Sequence, residues 1–238
     1  PPLPEQKKIA AVLSTIQEAK ERTEAVISAT RDLKNSMMKY LFTYGPVPLP
    51  EAENVPLKET EIGMIPEEWE VVRLGDVAEF NLGRTPKRVN ESYWDDGKYP
   101  WVSIADMSDF GYIYDTKEKV SQKAYEEVFK KRLVPKETLL MSFKLTIGRT
   151  SILKTDAFHN EAIISIRPNN NQVLKEFLFY FLPTIDFSNY YDNVVKGKTL
   201  NSAKIKKLLI SLPPLSTQQK IASMLSAIDE KIEAEENK

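Results

Sequence analysis

From Glu5 the chain places apolar or small residues at a seven-residue repeat, one series running Ile9, Ile16, Thr23, Thr30 and Met37. A second series, offset by three, runs Val12, Ala19, Val26, Leu33 and Tyr40. These are the a and d positions of a coiled-coil helix, with Glu18, Lys20, Glu21, Arg22, Glu24, Arg31 and Lys34 outside the seam. Leu13, Ile27 and Leu41 widen the stripe beyond what a minimal two-helix seam needs. Pro4 suits a first helical turn, where its missing N–H is no loss, and Gly45-Pro46 ends the helix. About 40 residues in one helix make a rod of roughly 60 Å. The spacing predicts helix over residues 1–45, with Ile9, Val12, Ile16, Val26 and Leu33 on the face that meets another helix.

Residues 46–61 carry Pro46, Pro48, Pro50 and Pro56 and read as an extended, semi-rigid linker. From there to residue 212 the pattern changes to short β-rich runs at 69–74, 99–104, 139–143, 146–153, 162–166 and 208–212. Between them lie short helical stretches at 74–80, 123–129, 173–182 and 201–207. Long strands do not alternate with long helices as a doubly wound sheet requires. The expected fold is an irregular α/β module over residues 62–212, α+β-like in its order, joined to long coiled-coil helices.

The last segment repeats the first. Residues 213–230 align without gaps to residues 1–18, with 11 of 18 identical: Pro1, Pro2, Leu3, Gln6, Lys8, Ile9, Ala10, Leu13, Ser14, Ile16 and Glu18 all recur. Two unrelated amphipathic helices would share some apolar positions, but not the Pro-Pro-Leu start and the Gln and Lys spacing. Residues 213–238 are therefore a second helix of the same kind, a repeat of 1–26, with Ile221, Met224 and Ile228 in the phases of Ile9, Val12 and Ile16. Its period is far too long for a solenoid.

Composition removes several classes of chemistry. The 238 residues include no Cys and one His, His159, which excludes disulfides and thiolate metal sites and makes a structural histidine the simplest reading. No apolar run approaches the roughly 18 residues that span a membrane, and no signal-peptide layout opens the chain, so a soluble, cytoplasmic protein is expected. The start at Pro1 and the stop inside a helical pattern suggest a fragment or a rearranged unit. The net charge of −1 hides an asymmetry: residues 62–129 hold 8 basic against 14 acidic side chains, and residues 130–212 hold 14 against 6. Lys196-Gly197-Lys198-Thr199 has the end of a phosphate-binding loop without its first glycine, since position 192 is Asp192. The acid-x-Lys triplet Asp115-Thr116-Lys117 recurs as Asp229-Glu230-Lys231, which makes it weak evidence for a nuclease. No Asn/Asp-Pro-Pro-Tyr/Phe tetrapeptide of an amino-methyltransferase occurs.

The module opens Gly63-Met64-Ile65-Pro66-Glu67-Glu68-Trp69, continues Val71-Val72-Arg73-Leu74-Gly75-Asp76-Val77, and then gives Gly83-Arg84-Thr85-Pro86. It closes Lys196-Gly197-Lys198-Thr199-Leu200-Asn201, followed by Leu212-Pro213-Pro214-Leu215, Gln218 and Ile221-Ala222. In this order, with the repeated helix, the chain resembles the specificity subunit of type I restriction-modification enzymes. The resemblance implies one target recognition domain for double-stranded DNA, flanked by conserved helices that set the spacing between two half-sites. It implies modification (methyltransferase) subunits and restriction subunits as partners. It also implies no catalysis and no cofactor of the chain's own, S-adenosylmethionine, ATP and Mg being expected on those partners. Full-length members carry two recognition domains and this chain shows one, so a two-fold homodimer or a missing second domain is expected. A coiled-coil protein–protein adaptor without DNA specificity is the alternative.

Base contacts need side chains on loops, and phosphate contacts need Lys or Arg. The candidates are Arg84, Lys87 and Arg88 after Gly83; Lys144, Thr146 and Arg149 in the turn around Gly148; and Lys196, Lys198 and Thr199. Trp69, Trp94 and Trp101 are expected in the core, and Lys204, Lys206 and Lys207 on a solvated or backbone-facing surface.

Overall fold

A computed structural model describes residues 1–144, 146–190, 192–194 and 197–237, except for the side chains of 189, 192–194 and 197–199. The chain forms two compact units, Pro1–Val55 with Lys220–Lys238, and Pro56–Gln219.

Helix α1 runs over Leu3–Tyr44, 42 residues, with proline in its first turn. Gly45 stops it at φ +80°, its N–H reaching Leu41 O at 3.0 Å, a conformation that glycine adopts without strain. In the stretch expected as an extended linker lies a 3-10 turn at Leu49–Asn54. β1 (Leu57–Thr60) then pairs antiparallel with β2 (Gly63–Pro66).

β3 (Glu70–Arg73) leads into the single helical turn α2 (Leu74–Val77) and then β4 (Ala78–Leu82). The helix expected over 74–80 stops early, because from Ala78 onward each residue of β4 pairs with a distant strand. β5 (Tyr99–Val102), β6 (Gly111–Ile113) and β7 (Glu118–Val120) precede α3 (Gln122–Glu127), whose N-terminus is capped by the Ser121 hydroxyl accepting from Ala124 N. β8 (Leu139–Ser142) and β9 (Thr150–Leu153) follow, then β10 (Phe158–His159) and β11 (Ile163–Pro168). The run expected from 146 becomes strand only at Thr150, since residues up to Arg149 make a turn around Gly148 at φ +87°. α4 (Lys175–Phe181), the hairpin β12 (Asp192–Val194) and β13 (Gly197–Thr199), α5 (Ser202–Lys206), β14 (Leu209–Leu212) and α6 (Leu215–Glu236) complete the order.

The main sheet has the order β4-β11-β8-β9-β6, antiparallel except for the β6–β9 pair. β8 and β9 are buried at every position, which explains their uniformly apolar or small residues and the absence of alternation. Val102, Met107, Ile113, Leu140, Leu153, Ala157 and Ile163 form one core cluster. A second sheet, β10-β5-β7, carries Trp101, Val120 and Phe158, which form a core cluster with Phe129. β14 pairs antiparallel with β3, so the end of the module is hydrogen-bonded to its beginning.

In the helical unit, Lys34 pairs with Asp229 and Arg31 with Glu236 at 2.6 Å. Falling numbers on α1 meet rising numbers on α6, so the helices run antiparallel. In that register Leu225 falls level with Met38 and Ile221 with Phe42, all four buried. Up to Met37, the positions of α1 that are at least half-buried are Thr23, Ile27, Thr30, Lys34 and Met37. Within this chain the seam thus uses the first heptad series and the residue four beyond it. Ile9, Val12, Ile16, Val26 and Leu33 are exposed, as is Met224, while Ile228 is half-buried. α6 ends at Glu236, level with Arg31. No helix among the described residues is long and apolar enough to cross a membrane.

The Lys34 side chain is 7% exposed, and its burial lowers its pKa against the pull of Asp229. Asp229→Asn removes that counter-charge and is expected to cost about 3 kcal/mol in urea unfolding, most of it recovered in the double variant Lys34→Met, Asp229→Leu. A single variant as stable as the parent would show the pair to be unimportant.

Candidate nucleic-acid interface

The loop after β4 starts with a close approach of backbone to backbone. Gly83 N–H donates to Ile163 O at 3.3 Å and Arg84 N–H to His159 O at 2.8 Å. A Cβ on Gly83 would lie 2.1 Å from Asn160 O and 2.2 Å from His159 O, so only glycine fits there. The loop is then tied down along its length. Trp101 Nε1 donates to Arg84 O at 3.0 Å, Arg84 donates to Val128 O at 3.4 Å, and the Thr85 hydroxyl donates to Glu161. Arg88 forms a two-pronged pair with Glu118 and lies 3.8 Å from the centroid of the Trp94 ring. Trp94 meets Trp101 edge-on with centroids 5.0 Å apart, and Trp101 and Trp69 are buried. Lys87 projects outward, and Val89 at the tip is 92% exposed.

The turn from β8 to β9 lies against the same place. Gly148 N–H donates to Ser142 O and Ser142 N–H to Arg149 O, both at 2.9 Å, while the Ser142 hydroxyl closes on Thr146 O. Phe143 N–H donates to Ala162 O at 2.9 Å, and Leu200 N–H donates to Phe143 O at 3.2 Å, linking the segment after β13 to this turn. Glu161 sits between the two loops. Burial opposes its ionisation, yet the Thr85 hydrogen bond and the charges of Lys144 and Arg88 hold its pKa below the usual carboxylate value.

The fold therefore brings Arg84, Lys87, Arg88, Lys144 and Thr146 to loops that share contacts. Arg149 is turned away from them, its guanidinium bound to Asp109 at 3.0 Å and to Met107 O at 3.1 Å. Lys196 lies outside the described residues, as do the side chains of Lys198 and Thr199. Asp115, of the acid-x-Lys triplet, pairs with Lys119 at 3.1 Å, and the Thr116 hydroxyl accepts from Trp101 N and donates to Glu118 O.

Several residues not singled out from the sequence belong to this region. Val89 gives no signal in the sequence, because an isolated valine in a polar loop carries no pattern. Lys130-Lys131-Arg132, visible only as part of the basic half, forms the turn after α3, and Arg167 stands on β11. With Arg84, three of these, Lys130, Arg132 and Arg167, help to line a cleft of about 920 Å³ whose apolar lining includes Phe129, Phe158 and Leu133. His159 also lines it, with its ring buried, and burial lowers its pKa from 6.5 to about 4.

The family profile described as "Type I restriction modification DNA specificity domain" matches residues 66–238. The chain is 34% identical over 181 residues to the type I restriction enzyme MjaIX specificity subunit of Methanocaldococcus jannaschii, covering 74% of this chain and 41% of that protein. It is 32% identical over 237 residues to the putative MjaX specificity subunit of the same organism, covering 98% of this chain and 52% of that one. The chain thus spans about half the length of these relatives or less. Its backbone matches that of the type I restriction-modification S subunit from M. genitalium with a TM-score of 0.65, over 99% of this chain and 56% of the other, at 18% identity, which is a likeness of fold.

Gly83→Ala forces two carbonyl oxygens apart and is expected to destabilise the Pro56–Gln219 unit by roughly 2 kcal/mol in urea titrations. Full stability in that variant would mean the close approach is dispensable. Because the folded-state pKa of His159 lies below its unfolded value, the stability of the neutral ring is complete above about pH 6.5. It is lost as pH falls toward 4, amounting to roughly 3 kcal/mol. Urea midpoints of the parent and of His159→Gln should diverge over that window, and parallel profiles would refute the burial account.

Proposed function

Because the chain belongs to the type I restriction modification DNA specificity domain family, we propose that it reads one half of a two-part DNA target and positions partner enzymes over it. The observation that carries this reading is the convergence of the loop after Gly83 with the turn around Gly148 at Glu161. Cations such as Lys87 and Lys144 supply phosphate contacts, which set affinity and register. Thr146 and Val89 stand exposed beside them, a hydroxyl suited to base edges and an apolar side chain suited to a thymine methyl. In this reading the chain performs no chemistry. Modification subunits hold S-adenosylmethionine, and restriction subunits use ATP and Mg.

The helices give the second half of the proposal. Gln218 is buried: its side-chain N–H donates to Pro213 O at 2.8 Å and Gln172 O at 2.9 Å, and its carbonyl accepts from Leu174 N at 2.8 Å. Gln6, its repeat partner, makes the same first bond, to Pro1 O at 2.7 Å, but is exposed. The exposed Ile9, Val12, Leu13 and Ile16 extend from it along α1. A second recognition unit, either another copy of this chain related by a two-fold axis or another recognition domain, would cover that stripe and supply the other half-site.

Reconstituted with its modification subunits, the chain is expected to select a short motif from a random duplex library, with log Kobs falling linearly with log salt. Lys87→Gln with Lys144→Gln should weaken binding about tenfold at low salt while the mass in solution stays unchanged. Indifference of binding and methylation to sequence would sink the reading.

A further inference from the structure

The turn after α3 keeps side chains where the backbone disfavours them. Lys130 and Lys131 follow one another at φ +52° and +60°, the left-handed region in which a helix terminus ordinarily carries glycine or asparagine. The conformation is held by three backbone bonds: Phe129 N–H to Ala124 O at 3.1 Å, Lys131 N–H to Tyr125 O at 2.9 Å and Arg132 N–H to Phe129 O at 3.1 Å. Glycine at 130 and 131 would make the same turn without steric conflict, so two successive lysines there point to a task for their side chains.

What surrounds them says which task. Lys130 and Arg132 stand exposed on the rim of the cleft, with Arg167 on β11. Lys175, which also lines the cleft, is occupied by Glu137 at 3.0 Å and Glu176 at 3.4 Å. Lys130, Lys131, Arg132 and Arg167 enter none of the ion pairs formed among the described residues. Among the described residues that line the cleft, Glu79, opposite Arg167 in the β4–β11 register, is the one acid left to set against them. Arg84 donates to Val128 O at 3.4 Å, so the base of the turn touches the loop already assigned to DNA. A pocket for a small anion buries its polar groups, whereas these cations lie exposed along an edge that continues a loop surface, as a polyanion requires.

We propose that the Lys130–Arg132 turn and Arg167 form a second phosphate-binding site. It grips the DNA backbone beyond the base-reading loops and adds affinity without sequence preference. The proposal rests on the DNA-recognition reading above. Its test uses the complex with modification subunits and a duplex which the parent complex selects from a random library. Lys130→Gly with Lys131→Gly keeps the turn, since glycine accepts positive φ, so thermal stability should be equal or higher. The slope of log Kobs against log salt should become shallower by about 2, near 0.9 per lost phosphate contact, equally on selected and unrelated duplexes, with the methylated motif unchanged. Arg167→Gln should lower it by about 1. An unchanged slope overturns the proposal. A loss confined to the selected duplex would make the turn a base reader, and a fall in the mass of the complex would make it a protein-docking element; either overturns it. If the parent complex selects no motif at all, the DNA reading itself has failed, and the two failures are told apart.

Discussion

Loops are only as defined as the points at which they are fastened, and for the two loops proposed to meet DNA the fastening is the approach of Gly83 to the backbone of His159 and Asn160. No side chain can be inserted between those atoms. The contact joins the end of β4 to the stretch between β10 and β11, and so brings Thr85 to Glu161 and Arg84 to His159. The same stretch supplies Ala162 O for Phe143, which fastens the turn around Gly148. Two loops distant in sequence thus share one anchor on the edge of a buried sheet, and their polar tips need no regular structure of their own.

Charge in the module is distributed by a comparable logic. Arg88 is held by Glu118 and Arg149 by Asp109, which gives these cations defined positions and removes much of their free charge. Lys87 on the first loop and the Lys130–Arg132 turn remain outside such pairs. A net charge of −1 therefore says little about where an anion would bind. Arg149 of the basic half takes its counter-ion, Asp109, from the acidic half. Arg88 and Glu118, in contrast, both lie in the acidic half and Lys175 and Glu137 both in the basic one, so what matters is which cations are left over.

The repeat acquires physical content from the two glutamines. Gln6 and Gln218 each cap the carbonyl of the proline that opens their own helix, a local interaction encoded within six residues. Only Gln218 also binds the backbone of the segment before α4. One sequence motif thus has one local geometry and two environments. The difference lies in what the rest of the chain brings to it.

The division between sequence and tertiary structure follows from the range of the forces involved. Heptad spacing, Pro4 and Gly45 were enough for the long helix, because helix formation and termination are decided within a few residues. The motifs around Gly83 and the Pro-Pro-Leu repeat were enough to point to the family, and the loop candidates around Gly83 and Gly148 were legible as glycine-centred cationic stretches. The partner face of α1 was not. Any of several stripes satisfies the heptad pattern, and Val26 and Leu33 lie off the one beside α6 because Lys34 meets Asp229 there. Nor could the sequence separate Arg149, held by Asp109 from forty residues away, from Lys87, which has no such partner among the described residues. It could not place Lys130 and Lys131 in left-handed turns beside a cleft, or divert Ala78–Leu82 from helix into a strand. Those outcomes depend on hydrogen bonds and ion pairs between distant segments, which exist only once the sheet has assembled around its buried strands.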